Sequence, residues 1–339
     1  MKQIRSNAHR FVLLLASCMA LLTGLSIAFI LLGARNIEVS DIVNALFRFN
    51  GDNVNHVIVR DLRIPRLLAD IMVGVCLSVS GAVMQGTTKN PMADSGIMGI
   101  SSGSMFAVML IMAFLPMATK FEIIGYSCLG ATAATALIYG VAAMGKRGMT
   151  SDRMVLSGMA ISTLFSSVTT AIVLKSGMSS AMMKYTAGSS ASTVWLDIKI
   201  AAPFFLVGFV VSIAISHALT ILSLGEDVST GLGANVRLVK GISTVVVLVL
   251  SAIAVVIIGP VGYVGLMVPH IVRYFVGTDY RFVLPSCAVF GATLVVTVDL
   301  IARLIIPGRE FPVGILLTII GVPFFIFTSR RQKGDSFHG

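Results

Sequence analysis

Apolar residues fill this chain in long unbroken runs, with polar residues gathered into short stretches between them. Ten runs stand out, at about 11–32, 66–86, 97–115, 122–144, 153–174, 199–221, 241–258, 262–275, 282–304 and 313–329. A helix needs about 20 apolar residues to cross a bilayer, and fewer where neighbouring protein covers it. The pattern predicts an all-α, polytopic membrane protein of about ten transmembrane helices, forming a single domain over 1–339. The eighth run is too short to span alone. The first run follows Lys2, Arg5 and Arg10, as a signal peptide would. It is longer than an ordinary signal core and has no small-residue cleavage site before Arg35, so it reads as a retained membrane helix.

Between the sixth and seventh runs lies a polar island, 222–240. Gly225, Gly231 and Gly233 break it into pieces of one or two turns. Glu226 and Asp227 lie near the start of one piece, where the helix dipole favours negative charge. Arg237 and Lys240 stand just before the next apolar run. The island is too short for a domain and too polar for lipid. It is expected to form a pair of small helices at the cytoplasmic surface, where another protein pushes on it.

Composition supports the membrane class: 56% of the 339 residues are hydrophobic and 12% are charged. Soluble domains carry about 25% charged residues. The net charge of +10 is scattered over short loops and the termini, with no basic face or aromatic platform for nucleic acid. It sets orientation instead. With a cytoplasmic N-terminus, Lys146, Arg147, Arg153, Arg237, Lys240, Arg273, Arg281, Arg330, Arg331 and Lys333 all fall on the cytoplasmic side, and so does the C-terminus. The external loop at 33–65 breaks this rule, because Arg60, Arg63 and Arg66 cluster at its end. Two explanations stand. The arginines snorkel or pair with Glu38, Asp41, Asp52 and Asp61 of the same loop, or they meet an anionic partner outside.

Candidate chemistry is sparse. Cys18, Cys76, Cys128 and Cys287 sit singly inside apolar runs and imply neither metal nor disulfide. The match to GxxxxGK ending in Gly145 and Lys146 has Arg147 where a phosphate loop needs Ser or Thr, and follows a membrane helix rather than a strand. A GxSxG match at Ser101 lacks both the strand-to-helix turn and a placed histidine base. Met178, Met182 and Met183 suit flexible packing or an adaptable lining for a bulky ligand. Asp70, Asp299 and Arg303, with Arg309 and Glu310 beyond, lie near segment ends rather than at the midplane where an ion-coupled carrier places its acids. Two clusters, 90–103 and 259–270, mix helix breakers with apolar residues. Irregular backbone at that depth must be buried in protein or face water. Gly259, Pro260 and Gly262 are therefore candidates for a joint or pathway wall.

Taken in order, these motifs resemble the FecCD family, the permease subunits of bacterial ABC importers for iron-siderophores, haem and cobalamin. The likeness runs through Arg63-Ile64-Pro65-Arg66, Ser80-Gly81-Ala82-Val83-Met84-Gln85-Gly86, Asn90-Pro91-Met92-Ala93-Asp94 and Gly99-Ile100-Ser101-Ser102-Gly103. It continues in Leu224-Gly225-Glu226, Gly231-Leu232-Gly233, the 259–270 cluster, Asp299-Leu300-Ile301-Ala302-Arg303 and Glu310-Phe311-Pro312-Val313-Gly314. The resemblance implies the type II importer permease fold in the bacterial cytoplasmic membrane, with both termini cytoplasmic. It implies a second permease subunit, a cytoplasmic ATPase dimer that binds ATP and magnesium, and an extracytoplasmic binding protein that delivers an iron chelate. No cofactor is expected on this chain. Coupling to the ATPase falls to Leu224, Gly225, Glu226, Asp227, Gly231, Leu232 and Gly233. Docking of the binding protein falls to Arg63, Arg66 and Arg303. The fifth helix would line the pathway, with Met159, Ser162 and Ser166 as candidates.

Overall fold

A computed structural model describes residues 2–33, 37–95, 99–144, 151–305 and 311–335, and every regular element among them is helical. The order is α1 (Lys2–Leu31), α2 (Val39–Phe47), α3 (Val54–Val57), α4 (Ile64–Thr88), α5 (Ile100–Phe114), α6 (Lys120–Ala143), α7 (Ser151–Lys175) and α8 (Ser179–Ala187). There follow α9 (Trp195–Ala214), α10 (Ser216–Ser223), α11 (Glu226–Gly231), α12 (Val236–Ile258), α13 (Val264–Val276), α14 (Tyr280–Ile305) and α15 (Val313–Asp335). Among the described residues, seven helices are long and apolar enough to cross a membrane, and three shorter apolar ones, α5, α13 and the 313–328 part of α15, bring the number to the expected ten. Lys146, Arg147, Arg309, Glu310 and residues 96–98 lie outside the described residues.

The central post is α4. In its most apolar stretch 89% of residues are buried, against 11% in α1, so α4 is wrapped by protein while α1 faces outward. Small residues on α4 make this possible. A Cβ on Gly74 would collide with the backbone of Gly291 on α14, and one on Gly81 with the backbone of Gly265 on α13. Between these contacts the Ser78 hydroxyl donates to the Cys287 carbonyl at 2.8 Å. Membrane helices gain little from hydrophobic association, so such close backbone approach and interhelical hydrogen bonding hold them together.

Two regions differ from the apolar pattern. The expected loop at 33–65 is largely helical: α2 and α3 lead into a wide turn, Ile58–Arg63, where the Ile64 N–H reaches back to the Val59 carbonyl. The turn runs straight into α4, and Pro65 takes the first turn, where its missing N–H costs nothing. The sixth run, expected to be continuous over 199–221, breaks at Ile215 into α9 and α10. Asp279 accepts from the Thr220 hydroxyl at 3.1 Å, and Thr220 in turn accepts from the Tyr280 N–H at 2.9 Å. This anchor ties α10 to the start of α14, and a hydropathy profile cannot register it.

Candidate functional site

Three sites develop along α4 and its neighbours. The first is the polar island. Gly225 takes φ +128°, a conformation L side chains resist, and turns the chain from α10 into α11. The buried Ser229 hydroxyl donates to the Ile221 carbonyl at 2.9 Å and also to Gly225, clamping the two short helices together. Gly233, at φ +80°, ends the unit, and the Asn235 side chain caps α12 by accepting from the Leu238 N–H at 3.1 Å. Glu226 accepts from Lys240 Nζ at 2.7 Å and lies 3.9 Å from Lys89 Nζ at the end of α4. The Lys240 hydrogen bond holds the Glu226 carboxyl below the usual carboxylate range. Leu224, Val228 and Leu232, four residues apart, are 63%, 50% and 63% exposed and form an apolar ridge. All seven residues expected to couple to a partner fall in this one unit.

The second site lies at the opposite end of α4. Arg66 is buried, and its Nε and Nη2 donate to the two oxygens of Asp299 on α14 at 2.8 and 2.7 Å. Arg63 is 3% exposed; its Nη1 donates to the Leu31 carbonyl at 3.1 Å and to the Ile30 carbonyl. Arg303 donates to the Phe29 carbonyl at 3.2 Å, with its guanidinium 4.5 Å above the Phe29 ring. Arg63 and Arg303 thus meet the negative end of the α1 dipole. They converge on Gly33, where a Cβ would sit 2.9 Å from one guanidinium and 3.1 Å from the other. These contacts reach α1 and α14, whereas the sequence leaves open pairing within the loop or an anionic partner outside. Asp70 is fully buried one turn further along α4, and neither of its carboxyl oxygens has a hydrogen bond among the described residues.

The third site is a cavity of about 360 Å³ between α5, α7, α8 and the 260–263 turn. Ser162, Ser166, Pro260 and Gly262 line it, as expected of pathway residues. Met159 and Gly259 stand outside it: Met159 is exposed, and Gly259, at φ +85°, packs against the Tyr185 carbonyl. Asp94, Ser101, Thr169, Met182 and Tyr263 also line it, and sequence reasoning missed most of them. The 162, 166, 169 spacing of hydroxyls is a helical period that could have found Thr169. Ser102 donates to Ser162 at 3.1 Å across the wall. The buried Ser101 hydroxyl has no partner among the described residues.

Comparison with known proteins adds the lineage. The FecCD transport family matches residues 10–331. The iron(3+)-hydroxamate import system permease of Bacillus subtilis is 36% identical, over 98% of this chain and 86% of that protein. The Fe(3+)-citrate import system permease of the same organism is 35% identical, over 97% of each. The cobalamin import system permease of Halobacterium salinarum is 36% identical, over 85% of this chain and 78% of its own length. A solved structure provisionally described as a metal-chelate type ABC transporter in an inward-facing conformation has a TM-score of 0.79 and 26% identity, covering 94% of this chain and 98% of that one.

Proposed function

The chain belongs to the FecCD transport family, and on that premise we propose that it carries an iron chelate, a siderophore foremost, across the bacterial cytoplasmic membrane. It is a multi-pass permease subunit of an ABC importer. A binding protein delivers the chelate to the end marked by Arg63 and Arg303. A cytoplasmic ATPase dimer docks on the Leu224, Val228 and Leu232 ridge, and a second permease subunit completes the pathway. Both termini are cytoplasmic. ATP-driven closure of the ATPase moves the α10–α11 unit and shifts the hydroxyl-lined helices α5 and α7, and the chelate passes inward. This chain performs no covalent step.

The observation that carries this reading is the family match over almost the whole chain. The hydroxyl-rich cavity and the apolar ridge beside Glu226 agree with it. Because a cobalamin permease is among the relatives, cobalamin is the second cargo to test. The chain is co-purified with its ATPase and binding protein, placed in lipid nanodiscs, and titrated with ferric hydroxamates, ferric catecholates, ferric citrate, haem and cobalamin. A ferric siderophore is expected to stimulate ATP hydrolysis most. Stimulation by cobalamin or haem alone would replace the cargo. Uptake driven by a proton or sodium gradient without an ATPase would overturn the class.

A further inference from the structure

A second concavity lies between α9 and α12 and shares no lining residue with the hydroxyl-rich cavity. It is a groove of about 600 Å³ whose walls include Val211, Val245 and Val249. Gly208 and Gly241 also line it, and a Cβ on Gly241 would meet nothing within 4 Å, so the groove is open at that point. Its rim carries Asn235 and Arg237, at the first turn of α12. From Arg237 to Val249 a helix rises about 18 Å, close to the ~15 Å depth of one hydrocarbon leaflet.

The charges around the rim are unequal in their engagement. Lys240 is held by Glu226, and the Asn235 side chain caps α12. Arg237 is exposed and makes no hydrogen bond or ion pair among the described residues. An unpaired guanidinium at the top of an apolar slot one leaflet deep has the layout of a phospholipid, with the headgroup first and a chain below. Guanidinium and phosphate bond through two parallel N–H donors. A soluble polypeptide could not enter this depth without satisfying its backbone groups.

We propose that the α9–α12 groove is a binding site for one anionic phospholipid, with an acyl chain along Val211, Val245 and Val249 and the phosphate on Arg237. The site adjoins the α10–α11 unit through Lys240, one residue before the lining Gly241 and paired with Glu226 of α11, so an occupied groove stiffens the first turn of α12 against which that unit moves. The assignment stands whatever the cargo proves to be.

The test is native mass spectrometry of delipidated protein, titrated with palmitoyl-oleoyl phosphatidylglycerol or with the phosphatidylcholine of the same chains. Wild type is expected to retain one phosphatidylglycerol per chain about tenfold more tightly than phosphatidylcholine. Arg237→Gln is expected to erase that preference, Arg237→Lys to keep most of it, and Gly241→Phe to lose both lipids by filling the slot. Equal affinity for the two lipids in wild type overturns the proposal, as does an unchanged preference in Arg237→Gln. A photoreactive side chain at Val245 is expected to crosslink to lipid. Crosslinking to a second copy of the chain or to the ATPase would assign the groove to that protein instead.

Discussion

Arg66 and Asp299 form a bidentate pair with both side chains out of water. Removing one member leaves the other as an uncompensated buried charge, a change that costs about 3–5 kcal/mol, whereas replacing both by apolar residues is often neutral. Arg66→Met and Asp299→Leu are each expected to lower the thermal unfolding midpoint in detergent, and the double variant to recover most of the loss. Arg303 shares its donors with a backbone carbonyl and an aromatic face. Arg303→Gln, which removes the charge but keeps a donor for that carbonyl, is expected to spare the fold while weakening binding-protein affinity about tenfold, measured by surface-immobilised complex. Glu226 follows a different rule. Its folded carboxyl titrates below the ordinary value because of Lys240, so its stabilisation is full above about pH 4.3 and is lost as pH falls through the depressed folded value. The pair is exposed and contributes at most about 1 kcal/mol. Glu226→Gln should leave stability at neutral pH within that margin. The sequence marked the arginines as out of place, because three basic residues on a loop expected to be external break a simple charge rule. It could not pair Arg66 with Asp299, which lies 233 positions away.

Among the elements, α4 depends most on having nothing on one side. Gly81 touches backbone rather than a flexible side chain, so its neighbour cannot yield. Gly81→Val is expected to prevent assembly of α4 with α13, read as loss of the monodisperse peak in size-exclusion chromatography, while Gly125→Ala, at a position with open space, leaves the peak unchanged. The α10–α11 unit depends instead on what it exposes. Leu224→Asp together with Leu232→Asp is expected to reduce ATPase retention on co-purification about tenfold without changing the permease's own stability. The island's polarity and glycines made α11 legible as a short helix between membrane helices, but the second small helix expected there, α10, is cut instead from the end of the sixth apolar run. The break at Ile215 was not legible, because the apolar run continues through it without a change in hydropathy, and the Thr220–Asp279 contact that anchors α10 is a product of packing.

For the whole molecule, burial sorts the reactive positions. Cys76 and Cys287 are fully buried, Cys18 is nearly so and Cys128 is partly buried, while Ser166 is exposed on the cavity wall. A Ser166→Cys variant is expected to react with a hydrophilic maleimide about tenfold faster than the native thiols, followed by mass shift, and to slow when ATP binding changes the state of the transporter. The cavity itself was half legible: hydroxyls on α7 and breakers at 260–262 could be read in one dimension, but their meeting with α5 and α8 is a product of packing. Opposite charges meet at both ends of α4. One carries Arg66 locked to Asp299, and just beyond the other Lys89 stands 3.9 Å from Glu226 of the α10–α11 unit. At 1.5 Å per residue its 25 residues make a rod about 38 Å long. A rod of fixed length cannot absorb a push by compressing. It can only tilt or slide as a piece, so under the proposed coupling role a thrust delivered at the Glu226 end would arrive at the Arg66 end as displacement, in the manner of a pushrod linking an engine to a valve.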